Sequence, residues 1–107
     1  MLNRTEHLLC CLAEECNEVG QRVSKALRFG LAEVQPGQEL TNADRIVGEV
    51  VDFLAVLELL EESGALKLPA AWPRRQAMDA KRTKVEKFMR YAEEQGALLP
   101  EPADAPY

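Results

Sequence analysis

The sequence predicts an all-α protein, and three observations carry that expectation. Apolar residues recur at helical spacing over three stretches, glycines stand where those stretches stop, and nowhere do apolar and polar residues alternate with the period of a strand. The first helix is predicted to start at Asn3, whose side chain can cap free amides together with Glu6 three residues on, and to stop at Gly30. At about 100° per residue, Leu8, Leu9, Leu12, Cys16, Val19, Val23, Ala26 and Leu27 share one broad stripe. Leu31 to Leu40 has neither period, and Pro36-Gly37 reads as a turn in a connecting loop. Thr41-Asn42-Ala43-Asp44 has the spacing of a capping box and opens a second helix, Ala43 to Ser63, ended by Gly64. Ile46, Val47, Val50, Val51, Phe53, Leu54, Val56, Leu57, Leu59 and Leu60 wrap nearly the whole of it, the pattern of a buried helix. Ala65 to Pro73 is a second linker, and Arg74 to Gln95 a third helix stopped by Gly96. Pro100, Pro102 and Pro106 mark a mobile tail, so the expected organisation is one domain over 1–98 with a tail over 99–107.

Composition narrows the function. With 107 residues, 47% hydrophobic and 29% charged, the chain has the make-up of one globular domain. A few long helices in so short a chain enclose little core alone, so oligomerisation is expected. A net charge of -5, from 18 acidic and 13 basic residues, opposes sequence-independent binding to nucleic acid or anionic membrane and favours cations as partners. The start turns charged too early for a signal peptide, and no run approaches the roughly 18 apolar residues of a membrane span, so a cytoplasmic protein is expected. Cys10, Cys11 and Cys16 fall in one helical stretch, suit a reducing compartment and are read as small packing residues, with His7 too isolated a companion to favour zinc.

Two acidic motifs stand out. Glu14, Glu15 and Glu18, as Glu-Glu-x-x-Glu, fall within an arc of about 100° beside the leucine stripe of the first helix. Alone they would be an ordinary solvated face. On the second helix, Arg45, Glu49 and Asp52 interrupt an otherwise apolar surface, and Glu49 and Asp52 are expected to be substantially buried. Buried carboxylates cost several kcal/mol each unless a cation compensates them. Arg45 neutralises only one; the alternatives are ion pairs with Arg22, Lys25 or Arg28, or a metal ion. Magnesium binds a few carboxylates and leaves positions for water and phosphate, so Glu15, Glu18, Glu49 and Asp52 are the expected ligands, with Glu14 left to orient a water or join a further ion.

Glu14-Glu15-x-x-Glu18 followed by Glu49-x-x-Asp52 resembles the paired signature of the MazG-like all-alpha nucleoside triphosphate pyrophosphohydrolases. The likeness runs from about Leu8 to Gly96. Lys25-Ala26-Leu27-Arg28-Phe29-Gly30-Leu31 and Thr41-Asn42-Ala43-Asp44-Arg45 look like the short single-domain members of phages and bacteria. The resemblance implies a long-helix hairpin protomer in a four-helix-bundle-like homodimer, or a tetramer made of two such dimers, in bacterial or phage-infected cytoplasm. It further implies cleavage of a nucleoside triphosphate between the α and β phosphates, with one to three Mg²⁺ ions, or Mn²⁺ in their place. Short phage-type relatives include enzymes acting on purine deoxynucleotides, notably dGTP, so the resemblance leans toward such a substrate.

For the rest of a substrate, Lys81 and Lys84 on the third helix lie on the side of Ala77, Val85, Phe88 and Tyr91, where they either contact phosphates or snorkel. Lys25 follows the acidic stripe and could reach phosphate or merely complement the helix dipole. Asn17, Phe29, Trp72, Phe88 and Tyr91 are the candidates for holding a base. A phosphate-binding glycine loop with a Walker lysine is absent, as is a serine, histidine and aspartate set. Two rivals remain: a phosphoribosyl-ATP pyrophosphohydrolase, and a non-enzymatic helical interaction module whose acidic cluster is only a charged seam.

Overall fold

The computed structural model describes residues 1–70 and 74–101, and in them the protein is all-helical: α1 is Arg4–Phe29, α2 Asn42–Glu62 and α3 Arg75–Glu94. Trp72 and Pro73, and residues 102–107 of the expected tail, lie outside the described residues. The chain divides into two compact units, Met1–Leu68 and Pro69–Tyr107.

In the first unit, capping chemistry sets the helix ends. The Asn3 side chain accepts from the Glu6 amide at 2.8 Å, and the Glu6 carboxylate accepts from the Asn3 amide at 3.3 Å. At the far end Gly30 has φ 99°, a conformation that a side chain would strain, and its amide donates to the Ala26 carbonyl at 2.8 Å. Thr41 and Asp44 form the expected reciprocal box at 3.1 and 3.3 Å, so α2 starts at Asn42, one residue earlier than predicted. A paired-amide Schellman closure ends α2: Ala65 donates to the Leu60 carbonyl at 3.1 Å and Gly64 to that of Glu61 at 2.9 Å.

The connecting loop is tied at several points. Gln38 donates to the Gln35 carbonyl at 2.9 Å around Pro36-Gly37, with Gly37 at φ 82°, which makes a type II turn. Val34 and Thr41 form an isolated antiparallel bridge, and the amides of Asn42 and Ala43 each donate at 3.0 Å, to Glu33 and Leu31. Asn42 is only 1% exposed; its amide nitrogen donates to the Gly30 carbonyl at 2.8 Å and the Glu33 carboxylate at 3.0 Å. One side chain thereby joins the end of α1 to the start of α2, and α2 runs back antiparallel along α1.

The hairpin core is thin. Leu8, Ala26, Leu57 and Leu60 are buried, Leu60 completely, whereas Val47, Val50, Val51, Leu54 and Leu59 are exposed. The expectation of an all-round buried α2 is thus corrected: within this unit α2 packs on α1, and that pairing covers one face of each helix. Leu9, Val23 and Leu27 of the α1 stripe are exposed for the same reason. Cys16, Val19, Val50 and Phe53 line an open apolar groove of about 360 Å³. All three cysteines are free, and only Cys11 is partly covered; the packing role expected of Cys10 and Cys16 is not met, since both are exposed.

In the second unit, α3 starts without a side-chain cap, and Arg75 pairs with Asp79 one turn on. It closes like α2, with Ala97 donating to the Ala92 carbonyl at 2.9 Å and Gly96 to that of Glu93 at 3.0 Å. Among the described residues no helix is long and apolar enough to cross a membrane.

Candidate metal centre

The antiparallel pairing sets the Glu-Glu-x-x-Glu turn of α1 against Glu49-x-x-Asp52 of α2. Glu15, Glu49 and Asp52 each offer a carboxylate oxygen, and these oxygens lie within 4.8 Å of one another. Glu15 and Glu49 are half-buried, Asp52 exposed. The expectation that Asp52 is buried is therefore corrected, because it lies about 80° round α2 from the buried Leu60, at the rim of the seam.

Glu18, the fourth expected ligand, is half-buried but stands outside this group. Rotation about α1 explains the difference. Glu15 lies within about 20° of the buried Leu8 and Ala26, whereas Glu18 is about 80° away and Glu14 about 120°. Glu14 is exposed. Loss of hydration raises the Glu15 carboxyl above its ordinary value of 4.5, and the negative charges of Asp52, Glu49, Glu18 and Glu14 raise it further.

Arg22 is the cation of the seam. Its Nε lies 3.6 Å from Glu49 Oε1, with the two side chains 17% and 18% exposed. Among the described residues, the buried Arg22 Nε and Nη1 have no hydrogen-bond acceptor. Arg45, expected to neutralise an acid, donates instead to the Gln35 side chain at 2.9 Å. The bland ion-pair reading is thus met in part, by Arg22 alone. Three carboxylates facing one guanidinium leave a formal excess of two negative charges, and hard oxygen donors in that number suit a magnesium or manganese ion that completes its shell with water or phosphate.

The remaining candidates are dispersed. Asn17 is exposed, half a turn round α1 from the residues that face α2, a position that separates it from the cluster. Lys25 is half-buried on α1, about one turn beyond Arg22. Phe29 has the Arg28 guanidinium 4.8 Å over its ring. In the second unit Lys81 and Lys84 border an apolar groove with Val85, Phe88 and Leu98, so both lysines do lean over the apolar side of α3; Tyr91 is exposed and outside that groove. Asn42 is the residue whose part in holding the hairpin sequence reasoning missed, whereas Arg22, one of the expected ion-pair partners of the α2 carboxylates, stands beside Glu49. No family model, curated protein or solved structure matches the chain.

Proposed function

We propose that this protein hydrolyses a nucleoside or deoxynucleoside triphosphate to monophosphate and pyrophosphate, using a divalent cation held by Glu15, Glu49 and Asp52. The observation that carries the reading is the convergence of Glu15 with Glu49 and Asp52, more than thirty positions away in sequence, on one point of the hairpin seam. It adds to the resemblance of the two acidic motifs to the MazG-like enzymes, which also supplies the preference for a purine deoxynucleotide such as dGTP and the role in nucleotide-pool control.

A bound Mg²⁺ or Mn²⁺ would supply charge to offset the phosphate oxygens and make a water more acidic. The chain's own residues hold and orient. Glu14, exposed beside the cluster and outside the ion's ligand set, is suited to take the proton that a water loses as its oxygen forms a bond to the α phosphorus; the bridging oxygen leaves with the pyrophosphate. Glu14 and Glu18 flank this point, Glu14 to align the water and Glu18 to join a second ion. Lys25, half-buried about one turn beyond Arg22 on α1, is proposed to meet the outer phosphates.

The test is product analysis after incubation with each common ribo- and deoxyribonucleoside triphosphate, with magnesium or manganese and with chelator. Monophosphate plus pyrophosphate, formed only with metal, is the expected result. No turnover of any of them, with no effect of the ions on thermal stability, would favour the interaction-module reading; turnover of phosphoribosyl-ATP alone would favour the other rival.

A further inference from the structure

We infer that Arg22 is a built-in counter-cation that competes with the divalent ion for Glu49 and so sets how tightly the carboxylate cluster binds metal; this rests on the proposed metal centre. Three features of the seam point to it. Arg22 lies 3.6 Å from Glu49, so the charge of this carboxylate is balanced by the guanidinium. Glu49 is also one of the three groups whose oxygens converge, so the same carboxylate serves either the guanidinium or an ion. And the buried Arg22 Nε and Nη1 have no acceptor among the described residues, so the guanidinium is not committed to another partner there.

A guanidinium carries a permanent positive charge, and that charge repels an incoming cation. A fixed positive charge one carboxylate away from a doubly charged ion weakens that ion's binding by on the order of tenfold even at the dielectric of bulk water, and by more in a partly dry seam. Without metal, Arg22 limits the mutual repulsion of Glu15, Glu49 and Asp52. With metal, the same charge keeps affinity moderate, so that the ion can be exchanged.

The experiment is Mn²⁺ titration, followed by electron paramagnetic resonance and by thermal unfolding, of the full chain as wild type, Arg22→Met, Arg22→Lys and Arg4→Met. Arg22→Met is expected to bind Mn²⁺ about tenfold or more tightly than wild type, with Arg22→Lys close to wild type and Arg4→Met, which removes an equal but remote charge, unchanged. Arg22→Gln, which keeps a hydrogen-bonding head without charge, serves if the methionine variant loses its helical circular dichroism. Wild type that binds Mn²⁺ beside an uncharged Arg22 variant that binds equally or more weakly overturns the counter-cation role and leaves the metal centre standing. Absence of binding in wild type and variants alike overturns both.

Discussion

Glu15 faces its own charge neighbours, and that makes its behaviour testable without substrate. Its carboxyl holds a proton more tightly when folded than unfolded, so the folded chain binds more protons across the interval above 4.5. Stability of the metal-free protein is therefore greater below that interval and falls as pH rises through it. Urea unfolding at a series of pH values checks the sign, and Glu15→Gln is expected to flatten the fall; a slope that survives in the variant would assign it to another group. For turnover, Glu49→Ala and Asp52→Ala are each expected to lose about a hundredfold or more, since even residues that only support metal ligands cost 10–100-fold. Circular dichroism should show the helices intact in both, and near-normal rates in both would remove these residues from the site.

At the scale of the elements, the hairpin depends on Asn42, which bonds Gly30 and Glu33 across the loop. Asn42→Ala leaves the Gly30 carbonyl without that donor and is expected to cost about 1–3 kcal/mol, read from the shift of a urea midpoint. Its burial is not legible in the sequence, where it stands as one more residue of a capping box, because it depends on where the loop returns. The caps themselves were legible: Asn3 with Glu6, Thr41 with Asp44, and the closing glycines work through chemistry within a few residues. The acidic turns could be found by spacing, but which carboxylates meet could not. That choice rests on rotation of α1 by tens of degrees, which admits Glu15 to the seam and leaves Glu18 beside it. The apolar circumference of α2 was visible too, yet it cannot say whether the cover comes from the same chain.

For the whole molecule, the exposed Val47, Val50, Val51 and Leu54 of α2, with Leu9, Val23 and Leu27 of α1, give the hairpin more apolar surface than its own pairing covers. A homodimer or homotetramer is proposed to cover it. Light scattering in solution is expected to give two or four times the chain mass of 12.0 kDa, and Val50→Glu to shift the protein toward the monomer. A wild-type monomer would refute the assembly while leaving the carboxylate centre untouched. The centre itself is tested most directly by hydrolysis of dGTP with Mg²⁺ in ¹⁸O-labelled water, with wild type and Glu49→Ala side by side. Label in the monophosphate, unlabelled pyrophosphate, and loss of both products in the variant are expected. Release of orthophosphate, label in the pyrophosphate, or equal turnover by Glu49→Ala would refute attack at the α phosphorus by a centre built on these carboxylates.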